Sequence, residues 1–508
     1  MLRVLGSPRR LCSSLTRRDF LRAGALGTAG LSLADLLRVG EASAAAAADR
    51  PPSFGRARSI ILLHLYGSPS QLEWADMKPG APAEIRGELG GIPSTLPGCD
   101  VCELLPNLAR VMDRTTVIRS MSHPYPIHGV AFALTGVPEI DVAMELSPRD
   151  PRHWPFFGSV VEYVDGLSPN DARPRDVPAN IALPFPFSSR RIGEVPRAGP
   201  YAAFLGSQFD PVWTDYEGRA TRGIHKELGE LRFDDADPYI GLASDSHFHV
   251  PSATHLTGDL TLDRLDRRRS LLAQLDAARR QADAAIDAAE RTAVGGMGRQ
   301  LDRYQQMAFS ILGSDRLRRS LDLRDESPGV RQLYGETLFG QGCLAARRLV
   351  EAGCRAATVF WDEYGLAGHA WDTHYNHFPR MRQELCPGLD QSWYGLVTDL
   401  DQRGLLDETL VVCTSEHGRT PQINGVGGRD HWSRVYTTML AGGGVKRGYV
   451  LGASDRIGAE VVDRPVSPKD LLATMYHLLG IDHHLLVHDS LGRPLPLVDG
   501  EVIREVLA

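Results

Sequence analysis

Short apolar runs alternate with longer stretches of helical spacing along most of the chain. The short runs have the β-branched, bounded character of buried strands, and they predict strands over 59–67, 115–119, 356–361, 409–413 and 436–440. The longer stretches predict helices over 103–112, 334–351, 381–403 and 468–479. Alternation of strands and helices predicts an α/β domain whose sheet is mostly parallel and flanked by helices.

This alternation stops between about residue 151 and residue 333, so the α/β core is divided into two halves. From 151 to about 256 the chain is rich in proline, glycine and aromatic residues. Residues 260–312 are highly charged with helical spacing, and we expect a solvated helical hairpin packed on the core. The predicted organisation is one domain over 49–508 with a large helical and irregular insertion over about 151–333.

The first 48 residues have the pattern of a twin-arginine signal peptide. Arg17 and Arg18 precede a short apolar run over 23–33, and an alanine tract over 42–48 offers cleavage sites. The alternative is a membrane anchor, but the run is too short to span and Asp35 and Arg38 follow it closely. We therefore expect export by the twin-arginine machinery to the periplasm or beyond, without a stable transmembrane anchor.

Composition narrows the classes of partner. The chain has 508 residues, of which 43% are hydrophobic and 23% charged, and its formal net charge is -7. These values are ordinary for a globular protein, and nothing is basic enough to favour nucleic acid as the partner.

Cys99 and Cys102 form a lone C-x-x-C without the second pair of a structural zinc site. We expect free buried cysteines, with a Cys99–Cys102 disulfide as the alternative.

Candidate metal ligands follow two of the predicted strands. Asp372 and His374 lie in the loop after 356–361, Glu416 and His417 follow 409–413, and His431 comes after a glycine-rich loop. Ligands bind at the carboxyl ends of strands in open α/β sheets. A single histidine is more often a surface or hydrogen-bonded residue, but five oxygen and nitrogen donors together predict a metal site. This donor set suits zinc, manganese or iron better than calcium.

Several longer motifs resemble those of the DUF1501 proteins, an exported family abundant in planctomycetes and related bacteria. They cover most of the chain and include TRRDFLRAGALG, GSPSQLEWADMKPGAPAEIRGE, RSMSHPYPIHG, FGQGCLAARRLVEAG, WDTHYNHF, SEHGRTPQING and GRDHW. That family is similar to the alkaline phosphatase and sulfatase superfamily. The resemblance implies an alkaline-phosphatase-like, doubly wound α/β fold with one or two divalent metals, zinc first and manganese, iron or calcium as alternatives.

The resemblance also implies which residues hold metal. Asp372, His374 and His431 would hold one ion, and Glu416 and His417 would hold a second in place of the superfamily's Asp-His pair. The DUF1501 family usually has phenylalanine at the position of His417, so this chain is closer here to the metal-binding relatives.

Other positions depart from the superfamily pattern. Tyr66 stands where an acidic metal ligand ends the first strand, although Glu73 and Asp76 follow in the same loop. Pro126 stands where the nucleophile would begin a helix, and no formylglycine signature is present in the sequence. The polar groups near Pro126 are Ser120, Ser122, His123 and His128. A covalent intermediate on that helix is therefore not expected.

Two functional hypotheses remain. The first is an exported metal-dependent hydrolase that cleaves phosphate or sulfate esters of small molecules or glycans with metal-activated water. In this interpretation Arg419 binds the substrate oxyanion, and His128, kept neutral at a helix N-terminus, acts as general base or as a further ligand. A purely structural His128 is the alternative. The second hypothesis is a non-catalytic metal- or glycan-binding protein that retains the fold.

The signal-peptide assignment makes a direct prediction. Changing Arg17 and Arg18 together to lysine should retain the protein in the cytoplasm, because the export machinery reads the arginine pair itself. Cell fractionation followed by immunoblotting measures the distribution. Normal export of the double variant would contradict the assignment.

Overall fold

A computed structural model describes residues 51–167, 176–192, 197–228, 231–251, 314–365 and 369–508. Residues 55–508 form one compact unit. The predicted signal peptide over 1–48 and the predicted helical hairpin over 260–312 lie outside the described residues. In the part of the chain that is described, no helix has both the length and the apolar character needed to cross a membrane.

The centre of this unit is an eight-stranded sheet. In chain order its strands are β1 (Ser59–Leu65), β2 (Thr115–Met121), β3 (Asn180–Leu183), β4 (Val212–Trp213), β5 (Ala356–Trp361), β6 (Thr409–Thr414), β7 (Tyr436–Ala441) and β8 (Tyr449–Leu451). Their order across the sheet is β8-β2-β7-β6-β1-β5-β3-β4. β7 pairs antiparallel with β6 and β2, and all the other pairs are parallel.

The three central strands are buried along their whole length. Every residue of β1, β5 and β6 is buried. Because alternate side chains of a strand point to opposite faces, complete burial means that both faces of the sheet are covered. The predicted α/β class with a mostly parallel sheet is therefore confirmed.

Helices and short hairpins surround the sheet. The described α-helices are α1 (Ala83–Arg86), α2 (Pro106–Ala109), α3 (Val130–Thr135), α4 (Val142–Glu145), α5 (Phe157–Asp165), α6 (Asp315–Leu321), α7 (Pro328–Tyr334), α8 (Leu338–Glu351), α9 (His377–Arg380), α10 (Cys386–Gln402) and α11 (Pro468–Leu478). The two-stranded sheets are Gly91–Ile92 with Val101–Cys102, Asp215–Glu217 with His247–His249, Gly223–Leu228 with Leu231–Ala236, Gly418–Arg419 with His431–Trp432, Ala453–Ser454 with Val461–Asp463, and Leu486–His488 with Pro494–Pro496.

Predicted strands agree with the structure to within two residues, whereas three predicted helices differ. The helix predicted over 103–112 is only α2, because Pro106 starts it and a 3₁₀ turn from Met112 follows. The helix predicted over 334–351 breaks after α7, where Gly335 has a φ of 86° and the Thr337 hydroxyl caps α8. The helix predicted over 381–403 begins earlier, at His377, and contains a π-helical turn before α10.

The segment predicted as an insertion contributes to the central sheet. Its residues form β3 and β4, which extend the sheet beyond β5 in parallel register. The part of this segment that is described is therefore integral to the sheet edge.

The six cysteines of the described chain are all free and buried, so the expected free thiols are present and Cys99 and Cys102 form no disulfide.

The packing of α10 against the end of α7 predicts a stability effect at Gly395. A Cβ at this buried position would lie 2.5 Å from the Leu333 carbonyl oxygen and 2.9 Å from the Tyr334 Cα. Since backbone atoms would have to move, Gly395→Ala should lower the free energy of unfolding by about 1–3 kcal/mol. Thermal and denaturant unfolding measure the change.

The control for this prediction is Gly329→Ala. Gly329 is also helical, and a Cβ added there would have no neighbour within 4 Å, so alanine should be neutral or stabilising. Equal effects of the two substitutions would contradict the packing explanation.

Candidate metal centre

The predicted ligands converge at the carboxyl edge of the sheet. Glu416 and His417 follow the last residue of β6, and the loop after β5 brings Asp372 beside the end of β1. Gly67, just past β1, has a φ of 89°, and a Cβ there would lie 2.3 Å from the Asp372 nitrogen. Its N–H donates to Glu416 Oε1 at 2.7 Å. Only glycine permits this conformation and this approach, so Gly67 helps to fix where both carboxylates lie.

Asp372 is the centre of a first set of donor atoms. His374 Nε2 lies 3.2 Å and His431 Nε2 lies 3.3 Å from Asp372 Oδ1, and the two nitrogens are 3.0 Å apart. The other nitrogen of each ring has its own acceptor, Asp430 Oδ1 at 2.7 Å for His374 and the Pro126 carbonyl at 3.3 Å for His431. If those Nδ1 atoms carry the protons, both Nε2 lone pairs face Asp372, as in metal-bound histidines.

A second set surrounds Glu416. Besides Gly67, its Oε1 contacts His128 Nδ1 at 3.0 Å, and its Oε2 lies 3.4 Å from His64 Nε2. His417 Nδ1 donates to the Gly418 carbonyl at 2.8 Å. Its Nε2 is buried and has no hydrogen-bond partner among the described residues. Because an unsatisfied buried nitrogen is costly, this lone pair is suited to a cation.

His128 joins the two sets. Its Nδ1 contacts Glu416 and its Nε2 lies 3.2 Å from Asp372 Oδ2. Its ring centroid lies 4.2 Å from that of His431 and 5.4 Å from that of His417. Two groups of three residues each have their donor atoms within 4.8 Å of one another. One group is His128, His417 and His431, and the other is Asp372, His374 and His431.

Two of the imidazoles and both carboxylates are in the forms that bind metal, whereas the hydrogen bond to Asp372 raises the pKa of His374. Burial lowers the pKa of His417 and of His431, so both rings are neutral near pH 7. Burial alone would raise the pKa values of the carboxyl groups, but nearby histidines, and Arg419 at Asp372, hold the pKa values of Asp372 and Glu416 well below the usual range. Neutral imidazoles and charged carboxylates are the forms that ligate metals.

His128 differs from its predicted state. The expectation was a neutral imidazole whose pKa is lowered by a helix N-terminus. In the structure α3 begins at Val130 and has only six residues, and the two His128 nitrogens face two carboxylates. Burial opposes the charged form, but Asp372 and Glu416 outweigh it and raise the pKa of His128 to about 9. The metal-free site therefore holds an imidazolium between Asp372 and Glu416.

The Arg419 guanidinium is fully buried and bonded on all sides. Nε donates to the Ser68 carbonyl at 3.0 Å and Nη1 to the Arg429 carbonyl at 3.3 Å. Nη2 bonds the Gly67 carbonyl and, at 2.5 Å, Asp372 Oδ1. The sequence-based interpretation made Arg419 a binder of the substrate oxyanion. With these partners it instead positions Asp372 and joins the loops that follow β1 and β6.

The two carboxylates in the loop after β1, those of Glu73 and Asp76, form ion pairs outside the candidate metal centre. Glu73 is buried in an ion pair with Arg429 at 2.5 Å, and Asp76 pairs with nearby basic side chains. Neither is a substitute for the acidic ligand that Tyr66 replaces. The buried Tyr66 ring stacks on His128 with centroids 5.0 Å apart.

Two supporting residues were not predicted. His64 lies in β1 against Glu416, and Asp430 orients His374. A histidine near the carboxyl end of an otherwise apolar central strand was the available signal for His64. Asp430 adjoins a predicted ligand in sequence, but its partner His374 lies 56 residues away.

The region around Pro126 supports the centre through backbone and histidine contacts. His123 Nε2 hydrogen-bonds the Glu416 carbonyl at 2.6 Å, and the Pro126 carbonyl accepts from His431. Ser120 is buried within β2. Position 126 thus contributes a carbonyl to the site in place of a nucleophilic side chain.

Comparison with known proteins places this fold and site in a family. Residues 57–507 match the family described as "Protein of unknown function (DUF1501)", and the chain belongs to that family. No curated protein matches the chain.

The chain is also distantly similar to several solved structures. Ps i-CgsB in complex with k-i-k-neocarrahexaose is 12% identical with a TM-score of 0.36, over 84% of this chain and 72% of that chain. The PsFucS1 sulfatase from Pseudoalteromonas sp. is 13% identical with a TM-score of 0.34, over 84% and 68%. The phosphonate monoester hydrolase SpPMH from Silicibacter pomeroyi is 12% identical with a TM-score of 0.30, over 88% and 76%. The chemistry of this chain must be inferred from its own residues.

The geometry predicts the effect of removing single ligands. Asp372→Ala and His431→Ala should each lose bound metal and lower the melting temperature, because metal binding and folding are coupled. Asp430→Asn should weaken metal affinity by roughly 10–100-fold, because Asp430 orients His374. Elemental analysis measures the bound metal, and calorimetry measures the melting temperature and the metal affinity.

The control is His488→Ala, which changes an exposed histidine on another short sheet. It should keep its metal and its melting temperature. Full occupancy and an unchanged melting temperature in both Asp372→Ala and His431→Ala would place any metal site elsewhere.

Proposed function

We propose that this protein is a metal-dependent hydrolase of phosphate or sulfate esters that acts outside the cytoplasm after twin-arginine export. The observation that carries the proposal is the convergence of imidazole nitrogens and carboxylates at the carboxyl edge of the sheet. His417 Nε2 is buried without a partner among the described residues. His374 Nε2 and His431 Nε2 lie 3.0 Å apart and face the Asp372 carboxylate.

The donor atoms of Asp372, His374 and His431 are close enough to share one divalent ion, and we propose a second ion beside it. Asp372, His374 and His431 would hold one ion, and Glu416 and His417 would hold the second. Zinc is the first choice because the donor set combines imidazole nitrogens with carboxylate oxygens. Manganese and iron come next, and calcium is least suited. A divalent ion bound there would act as a Lewis acid and lower the pKa of a coordinated water.

His128 is the residue we assign to proton transfer. Its two nitrogens lie within hydrogen-bond distance of Asp372 and Glu416, so it is held between the two ligand sets. Tyr66 stacks against one face of the ring and restricts its orientation. A proton on Nε2 or Nδ1 is thus available next to the position where an ester would bind. Pro126 provides no nucleophile, which favours direct attack by water over a covalent intermediate.

A second candidate is a non-catalytic protein that binds metal or a sulfated or phosphorylated glycan. Three features favour it: Tyr66 replaces an acidic ligand, Pro126 replaces the nucleophile, and every nitrogen of the Arg419 guanidinium already donates to a protein group. Under this hypothesis the protein retains metal and binds esters tightly without turning them over.

Turnover of aryl esters distinguishes the two candidates. The purified protein should hydrolyse at least one of an aryl phosphate, an aryl phosphodiester and an aryl sulfate, and a chelator should abolish the activity. His128→Ala should lower kcat by roughly 100-fold or more while the protein stays folded, because it removes the proton-transfer group. Steady-state kinetics and circular dichroism measure these effects.

Ser122→Ala is the matched control, and it should change kcat much less than His128→Ala does. Metal-loaded protein that binds these esters without turnover would favour the second candidate. A trapped phosphoryl or sulfuryl adduct on Ser120 or Ser122 would overturn the water mechanism.

A further inference from the structure

Another group of metal-binding side chains lies on the two-stranded sheet formed by Asp215–Glu217 and His247–His249. In this antiparallel pair His247 is opposite Glu217 and His249 is opposite Asp215. Between the histidines, Phe248 is buried in the main core. Successive side chains of a strand point to opposite faces, so His247 and His249 share the face that Phe248 does not use. Glu217 joins them across the ladder.

The donor atoms of Glu217, His247 and His249 are close together. They lie within 4.8 Å of one another. His247 Nε2 is 3.7 Å from Glu217 Oε2, and the two ring centroids are 6.3 Å apart. Donors of a tetrahedral zinc ion lie about 3.4 Å apart, given bonds of about 2.0–2.1 Å. Small side-chain rotations would therefore bring the three groups onto one ion.

One ring nitrogen of His249, Nδ1, is buried and has no hydrogen-bond partner within the described ranges. The neighbouring carboxylate, Asp215, is already bonded by the Arg190 guanidinium and the Tyr216 N–H, so it does not belong to the set. The His247–Glu217 pair at 3.7 Å is partly exposed to solvent, which weakens it, and it leaves His249 unsatisfied. A cation would satisfy all three groups.

We propose that Glu217, His247 and His249 bind one transition-metal ion of the zinc class, separately from the candidate metal centre. Two imidazole nitrogens and one carboxylate oxygen suit zinc and exclude calcium, which requires six to eight oxygen donors. The site shares no residue with the ligand sets around Asp372 and Glu416. It therefore does not depend on the proposed hydrolase function.

The bound ion would tie the two strands together. Asp215–Glu217 continues from the edge strand β4, and the segment 218–246 separates Glu217 from His247. Closing this loop with a metal stabilises the fold, because the unfolded chain loses conformational freedom. Three protein ligands also leave a fourth position open for water or for a donor from another molecule.

Zinc titration of the chelator-stripped full chain tests the proposal. With a competing chromogenic chelator at neutral pH, the wild type and His488→Ala should bind one more ion per chain than His247→Ala/His249→Ala. Glu217→Gln, at a largely exposed side chain, should keep the fold and weaken binding at this site by at least about tenfold. Substitution with cobalt should give a visible absorption spectrum. His247→Ala/His249→Ala and Glu217→Gln should each alter that spectrum.

A background with Asp372→Ala separates this site from the candidate metal centre. In that background zinc should still raise the melting temperature, and the added His247→Ala/His249→Ala substitutions should make that increase smaller. If His247→Ala/His249→Ala and Glu217→Gln both bind zinc with the stoichiometry and affinity of the wild type, the proposal is wrong. Failure of the hydrolase assay alone would leave these results unchanged.

Discussion

The buried guanidinium of Arg419 holds together loops that arise far apart in the chain. Its nitrogens bond the backbone after β1, the backbone at Arg429 and the side chain of Asp372. A charge with no exposed surface costs several kcal/mol unless it is paired and hydrogen-bonded, and here Arg419 is paired with Asp372 and each of its nitrogens has an acceptor. The position of the Asp372 carboxylate, and with it the geometry of His374 and His431, therefore depends on this one side chain.

A second set of buried charged residues supports Arg419. Arg429, whose carbonyl accepts from Arg419, is itself fully buried and paired with Glu73. Glu73 also faces His377 Nε2 at 3.2 Å, and His377 Nδ1 lies 2.7 Å from the Thr373 hydroxyl, beside Asp372. The arginine and the histidine lower the pKa of Glu73 to about 2 despite its burial. These buried contacts tie the loop that carries Asp372 to Glu73 and Arg429, which favours a preformed ligand set.

The sequence was sufficient for five of the eight strands of the central sheet and for the convergence of the candidate ligands, because both follow from short-range patterns, whereas β3, β4 and β8 were not predicted. Apolar runs mark β1, β5 and β6, and polar residues directly beyond a parallel strand must lie at one edge of the sheet. The role of Arg419 and the charge of His128 were not predictable in this way. They depend on contacts with Asp372 and Glu416, which lie 47 and 288 residues away along the chain. Helix breaks such as that at Gly335 likewise depend on tertiary packing.

The order of the strands also has a consequence for biosynthesis. β1 is the first strand to be made, yet both of its neighbours, β5 and β6, come from the last third of the chain. Ser59 and Thr409, which face each other across β1 and β6, are 350 residues apart. At a synthesis rate of about 5–20 residues per second, this interval takes on the order of 20 to 70 s. β5 begins only at Ala356, so for most of that time β1 has neither of its neighbours, and the nascent chain needs protection from aggregation until about the last third of it is being translated.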